Sequence, residues 1–344
     1  MNNPNQPSSH TPLSISPSTR FQAVSFHTVG EAEAGQRIDN FLLKHLKPAP
    51  KSLIYRILRK GEVRVDKKRA KPDYRLQLGE SVRIPPIRLE QNNNEKPASA
   101  QLLQQLEKAV MLEDNNIIVL NKPAGLAVHG GSGTPTGLIE GFRQLRPNLP
   151  YVELVHRLDK ETSGLVLLAK NRQTLNALHA QFRREDSETL PMKKHYKALV
   201  LGTWQGGTKH IQLDLQREGN QRQKVQVKAG GKTAESIFIP HRLYPATADR
   251  PALSLLNVEI LTGRMHQIRT QLAHLNHPII GDDRYGDFKQ NRALQTLGIK
   301  RLFLHAEKMA FRLDFSGQNY TLHAPLAKDL QGPLTRFNQQ LKRL

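Results

Sequence analysis

HRLDKETSGLVLLAK, His156–Lys170, opens polar and charged and closes on the apolar run Leu165–Ala169. That run has the length of a strand covered on both faces rather than of a buried helix. Asp159 stands just ahead of it between Arg157 and Lys160, followed by Glu161, Thr162 and Ser163. Thr162 and Ser163 can cap the turn, and Gly164 allows close packing. A salt-bridged surface turn has this composition. So does a carboxylate fixed at the mouth of a sheet, and rigid placement is what a nucleophile needs. His156 and Arg157 can supply charge and hydrogen bonds beside it. Taken alone, the stretch leaves both readings open.

Working outward, VMLED and NIIVLNKPAG (Asn116–Gly125) read as strands, and a helix is expected near Gly137–Leu145. Helical spacing returns at Thr174–Arg184. A run of strand-like pieces follows: KHYKALVLG, HIQLDL, KVQVK, AESIFIP and LSLLNVEI. MHQIRTQLAHL and the segment after Pro325 look helical. Helices interspersed with hairpin-like strands predict an α+β domain with a mixed, mainly antiparallel sheet and flanking helices over residues 109–344.

A smaller α+β unit is expected over residues 21–87. Ile38, Phe41, Leu42 and Leu46 recur at helical spacing. Ser52 can cap a second helix with Leu53, Ile54, Ile57 and Leu58 inward, ended by Gly61. Short alternating segments at Glu62–Val65 and Tyr74–Ile84 read as strands. Residues 1–20 read as a disordered tail and 88–108 as a polar linker.

Charge narrows the function classes. Fifty-one Lys and Arg against thirty Asp and Glu give a formal net charge of +21 over 344 residues, a balance that favours nucleic acid as partner. Between Gln36 and Pro85, fourteen basic residues face five acids, and Arg56, Arg59 and Lys60 share the exposed side of the second helix. A solvated helix face is the plain reading, but so dense a cluster on so small a unit points to RNA or DNA contact. No run approaches the roughly 20 apolar residues of a membrane span. Without cysteine there are no disulfides, thiolate metal sites or cysteine nucleophiles. The start of the chain does not read as a secretory signal, and a cytoplasmic location fits.

Three further stretches carry chemistry or imitate it. In TGRMHQIRTQL, Thr262–Leu272, helical spacing would put Met265, Ile268 and Leu272 on one face, with His266 and Arg269 nearby. Arg269 is either an ordinary surface cation or the partner that keeps a buried carboxylate ionised. Tyr196 in KHYKALV is either core or a ring on which a nucleobase stacks. The histidines at 129, 156, 266, 274, 277 and 305 form no HExxH and no convincing ligand set, so no metal is expected. AVHGGSGTPTG, Ala127–Gly137, is neither a P-loop nor a GxGxxG turn and reads as a cleft loop.

NKPAGLAVHGG, HRLDKETSGLVLLAK, KHYKALVLG, TGRMHQIRTQL, HPIIGDDRYG and RLFLHAEKMAF, in this order from about Met111, resemble the large-subunit ribosomal RNA pseudouridine synthases. GQRIDNFLLKHL, PKSLIYRILRKGEVRVDKKR and LGESVRIPP resemble the S4 RNA-binding domain that precedes many of them. The resemblance implies a pseudouridine synthase fold and isomerisation of specific uridines in 23S ribosomal RNA or a precursor particle, by a monomer without cofactor. It implies that Asp159 is the catalytic aspartate and that Arg157 enters the RNA helix as the target swings out. Tyr196 would stack on the extruded base, Arg269 would pair with the carboxylate, and Leu272 would form an apolar pocket wall. Met265 departs from the threonine more usual in GRTHQIR.

Two rivals differ in kind. A non-enzymatic RNA-binding protein needs only the charge and gives Asp159 no task. A glycoside or nucleoside hydrolase also cleaves at an anomeric carbon, but it usually needs two carboxylates, and only Glu161, beside Lys160, stands near.

Overall fold

The structure is a computed structural model, and it describes residues 20–21, 23–30, 33–46, 49, 51–89, 97–130, 136–183, 192–218 and 224–342. The expected tail lies outside these, apart from Arg20. The chain divides into two compact units, Met1–Glu95 and Lys96–Leu344.

In the first unit, β1 (Arg20–Phe21) pairs with β6 (Arg88–Leu89), and β2 (Ser25–Thr28) joins a sheet ordered β2-β5-β3-β4. Helices α1 (Ile38–His45) and α2 (Lys51–Lys60) precede β3 (Arg64–Val65), β4 (Lys68–Arg69) and β5 (Ser81–Ile84). Apolar spacing in both helices buries Ile38, Phe41, Leu42, Ile54, Ile57 and Leu58 against Val63 and Val82. Two expectations are corrected. Ser52 lies inside the first turn of α2 rather than capping it. Of the alternating stretch at Tyr74–Ile84, only the last four residues form a strand, because a turn at Gly79 (φ +83°) redirects the chain first.

The second unit opens with α3 (Ala100–Ala109), capped by Ser99 and packed on α4 (Leu138–Leu145) through Leu102, Leu106 and Gly141. The linker expected to reach residue 108 therefore stops short of Ala100: Leu102, Leu106 and Ala109 give a polar-looking segment one buried stripe. Strands β7 (Val110–Glu113), β8 (Ile117–Lys122), β9 (Glu153–Leu154) and β10 (Ser163–Ala169) come next. Helix α5 (Arg172–Arg183) follows, then β11 (Lys193–Leu201), β12 (Lys209–Arg217), β13 (Val225–Val227), β14 (Lys232–Tyr244) and β15 (Leu253–Ile260). Helices α6 (Gln267–His274) and α7 (Phe288–Gln295), strands β16 (Leu304–Leu313) and β17 (Gln318–His323), and α8 (Lys328–Leu341) complete it.

Among the described residues the sheet runs β13-β12-β14-β15-β11-β16-β10-β8-β7, with β17 beside β16 and β9 beside β10. The class is α+β with a mainly antiparallel sheet. Among the described residues one pairing is parallel, Ser163–Gly164 of β10 against His305–Ala306 of β16, and it decides where the site forms. Gly164 adopts φ +111°, and a Cβ there would lie 2.2 Å from the Ala306 carbonyl oxygen, so the position admits only glycine. On its other side Ala306 pairs with Tyr196, where a bulge shifts the register of β11 on β16. Bulges re-aim side chains. One residue of β16 thus sits between the turn carrying Asp159 and the strand carrying Tyr196.

Candidate active site

The turn bearing Asp159 is fastened from below. Lys122, with no exposed surface, donates Nζ to the carbonyls of Pro123, Leu126 and Lys160 at 2.9, 2.9 and 3.0 Å, and the Gly125 amide also reaches Lys160 at 2.9 Å. Burial pulls the Lys122 ammonium down to about 7, against the nearby charges of Glu161 and Asp159. NKPAG is thus a clamp that locks one loop to the next. Sequence reading gave Lys122 no role, since a lysine is seldom fully buried.

Asp159 points a partly exposed carboxylate at two groups: Arg269 Nη1 at 3.3 Å and His266 Nε2 at 3.8 Å. Arg269 has little freedom. Its Nε and Nη2 donate to the two oxygens of Asp282 at 2.7 and 2.8 Å, a bidentate pair, and Nη2 reaches Asp283 at 3.5 Å. Asp282 is fully buried and accepts the amides of Arg284 and Tyr285 at 2.9 and 3.1 Å. Burial opposes its ionisation, but the Arg269 hydrogen bond and charge with these amides outweigh it, leaving the carboxyl below its usual range. Burial likewise opposes the Arg269 cation, and Asp282 and then Asp159 reverse that, raising it above the ordinary guanidinium value. Asp282 was unassigned in the sequence, although HPIIGDDRYG contains it. An acid after an apolar run and a glycine was the available signal.

His266 is not helical. It is the residue before α6, in the left-handed region at φ 52°, ψ 23°, which is uncommon for a side-chain-bearing residue. The helix expected over Thr262–Leu272 starts only at Gln267. Buried Gln267 shapes the loop before it: its Oε1 accepts from Thr262 Oγ1 and the Arg264 amide, and its Nε2 donates to Glu235 O and Ser236 Oγ. The Val225 amide donates to Tyr285 Oη at 2.9 Å, and that oxygen lies 2.8 Å from His266 Nδ1. The arrangement that uses every group has Tyr285 donating to Nδ1, which leaves the ring proton on Nε2, facing Asp159. Burial pushes the His266 pKa down despite Asp159, keeping the ring neutral.

Asp159, His266 and Arg269 line a cavity of about 740 Å³ together with Tyr196, Arg157, His156, Ile268 and Leu304. Tyr196 is buried, and burial, then the charge of Asp159, raises its phenol pKa so that it stays protonated. Arg157 is exposed on the rim. Arg183, Arg217 and Arg264, none of them singled out by the sequence, also line the cavity and are exposed.

Three expected residues need correction or relocation. His156 lines the cavity but cannot supply charge. Its Nε2 accepts the Leu167 amide at 3.1 Å, its ring stacks on Phe182, and burial, then Lys194, pulls its pKa down to about 3. Leu272 is not a cavity wall. With α6 starting at Gln267, Ile268 faces the cavity and Leu272, one turn on, is wholly buried in the core. Met265 precedes the helix and packs on Leu215, Val225 and Ala234. Arg56, Arg59 and Lys60 belong to the first unit, exposed on α2.

Family models match in both units: the S4 domain over residues 36–82, and RNA pseudouridylate synthase over residues 116–274. Along nearly the whole chain, the protein is 44% identical to ribosomal large subunit pseudouridine synthase C of Pasteurella multocida (strain Pm70), covering 93% of this chain and 95% of that one. The chain belongs to the RNA pseudouridylate synthase family. It is therefore an isomerase. The enzyme of the same name from Yersinia pestis is 46% identical over 91% of this chain and 95% of its own, and that of Escherichia coli (strain K12) 44% over 93% and 98%. The fold matches human RNA Pseudouridylate Synthase Domain Containing 1 at TM-score 0.53 and 20% identity, covering 69% of this chain and 95% of that one.

Proposed function

We propose that this pseudouridine synthase converts specific uridines of large-subunit ribosomal RNA to pseudouridine in the cytoplasm, with Asp159 as the catalytic group. The observation carrying this reading is the convergence of Asp159, Arg269 and Tyr196 on one cavity.

The reaction breaks the N1–C1′ bond, turns the uracil, joins C5 to C1′, releases the C5 proton and returns one to N1. Atoms balance within the nucleotide and no electrons leave it, so no cofactor is required. Attack on C1′ or C6 and removal of the C2′ proton make the same demand: an unprotonated oxygen of Asp159 placed against the substrate. Arg269, immobilised by Asp282, holds that oxygen and balances its charge without having to reorganise during the reaction. The His266 Nε2–H faces the same oxygen from a second direction at 3.8 Å, beyond hydrogen-bond distance.

A uridine in folded RNA must leave its stack, at a cost of a few kcal/mol. Arg157 fills the place it vacates. Tyr196, protonated and uncharged, offers a ring on which the freed uracil stacks while it turns. Arg183, Arg217 and Arg264 suit the phosphates on either side. Arg56, Arg59 and Lys60 on α2 add contacts to the RNA backbone at a distance from the chemistry in sequence. Among the described residues Asp159 is the carboxylate that lines the cavity, with Asp282 sealed behind Arg269, which disfavours a hydrolase using two acids.

Purified protein incubated with large-subunit ribosomal RNA, without added metal or nucleotide, tests the proposal. Site-specific appearance of pseudouridine in an intact chain is expected. Release of free uracil, or an unchanged RNA, contradicts it.

A further inference from the structure

A second cluster of chemically capable side chains lies in the N-terminal unit and takes no part in the reading above. His27 on β2, Glu33 in the turn that follows and His45 in the last turn of α1 bring their ring nitrogens and carboxylate oxygens together. His27 Nε2 lies 2.7 Å from Glu33 Oε2, and His45 Nε2 lies 3.7 Å from Glu33 Oε1. One ligand atom from each residue falls within 4.8 Å of the others. Among the described residues no other group of three acids and histidines converges this closely.

We infer that His27, Glu33 and His45 form a binding site for a divalent transition-metal ion of the zinc class. Metal–ligand bonds of about 2.0–2.2 Å in a tetrahedron put neighbouring ligand atoms about 3.3–3.5 Å apart. The observed separations, 2.7 Å to one oxygen of Glu33 and 3.7 Å to the other, with one ligand atom from each residue inside 4.8 Å, lie near that spacing, so modest side-chain shifts admit the ion. It takes the place of the proton now shared by His27 and Glu33. Two neutral imidazoles and one carboxylate suit zinc or its first-row neighbours and not magnesium, which prefers oxygen. Three protein ligands leave a fourth position for water.

The surroundings orient the ligands, as second-shell contacts do at metal sites. The Gly30 amide holds the Glu33 carboxylate at 3.2 Å. The His45 ring stacks on Phe41 at 4.2 Å between centroids, and His27 tilts against the same ring at 5.1 Å. Phe41 is fully buried in the core of the unit, so both imidazoles rest on a fixed surface. The side chains keep between 15% and 33% of their surface exposed, which leaves an entry path. No short motif joins positions 27, 33 and 45; the fold of β2 against α1 assembles them. An ion here ties the first strand of the four-stranded sheet to α1 and closes a loop of chain, so binding adds to the stability of the folded unit.

The alternative is a hydrogen-bonded trio, with His45 also favoured by the helix C-terminus it occupies. Untagged full-length protein, stripped with a chelator and dialysed, separates the two. Titration with Zn²⁺ should show one high-affinity equivalent per chain, and Co²⁺ should give the visible bands of a tetrahedral N/O site. His45→Gln and Glu33→Gln should each weaken that equivalent by at least about tenfold while retaining the far-ultraviolet dichroism of the parent. Zn²⁺ should raise the melting temperature of the parent and not of His45→Gln. No stoichiometric equivalent in the parent, or parent-like affinity in both variants, overturns the site. Pseudouridine formation is measured separately, so failure here leaves the proposed reaction untouched.

Discussion

The basic side chains of α2 and the guanidinium of Arg269 are held in opposite ways. On α2 of the first unit, Arg56 and Arg59 stand in solvent, and Lys60 has one distant partner, Glu62 at 3.8 Å. In the second unit Arg269 is 4% exposed and touches three carboxylates. Exposed, weakly paired cations are screened by salt and adapt to many phosphate positions. A buried cation, paired on two of its three nitrogens, can present its third in only one direction. Capture of a polyanion wants the first arrangement and orientation of one carboxylate wants the second.

Substitutions should separate these two uses of charge. Arg269→Gln should have the largest effect among the cations. It removes the partner of Asp159 and leaves Asp282 buried and uncompensated, an error worth about 3–5 kcal/mol of stability. Asp282→Asn in the same background should restore much of the melting temperature and none of the activity. Recovery of turnover would mean that Arg269 serves packing alone. Tyr196→Ala comes next: losing a base-stacking platform costs about 1–3 kcal/mol, read as a slower single-turnover rate, whereas Tyr196→Phe should stay near wild type. A large loss in Tyr196→Phe would assign the hydroxyl a role that stacking does not need.

Neutralising Arg56, Arg59 and Lys60 together should act on binding. The slope of log affinity against log salt should shrink by about 2–3, with the rate on bound RNA unchanged. An unaltered slope would remove α2 from the RNA contact. The last effect is absent at neutral pH and appears only in acid. Folded His156 resists protonation down to about 3, while in the unfolded chain it titrates near its ordinary 6.5. The unfolded state therefore binds more protons in that window, and stability falls as pH drops below 6.5 toward 3. His156→Gln should flatten that part of the stability–pH curve; an unchanged curve would show that the ring is not sequestered.

Legibility in the sequence followed the kind of information each feature needs. Strand and helix patterns gave the class, because periodicity is local. Asp159, Arg269 and Tyr196 were singled out from motifs lying far apart in the chain, and the fold brings them to one cavity. What stayed hidden depends on tertiary contact. Lys122 was given no role, because nothing local shows the three carbonyls that close around it. Asp282 had no visible partner 13 residues away. Leu272 was misplaced because the start of α6, set by the left-handed turn at His266, determines which turn of the helix faces the cavity. Helix α3 was taken as linker because its apolar stripe is narrow. The parallel contact between Gly164 and Ala306, which brings the Asp159 turn toward Tyr196, is a pairing between residues 142 apart, and no local pattern encodes it.

Single-turnover conversion by Asp159→Asn on large-subunit ribosomal RNA, with RNA binding measured in the same samples, is the most direct test. The swap keeps the side chain's size and removes the charged oxygen. Binding within a few-fold of wild type with no detectable pseudouridine is the expected result. Conversion at the wild-type rate would contradict the assignment of the reaction to this carboxylate.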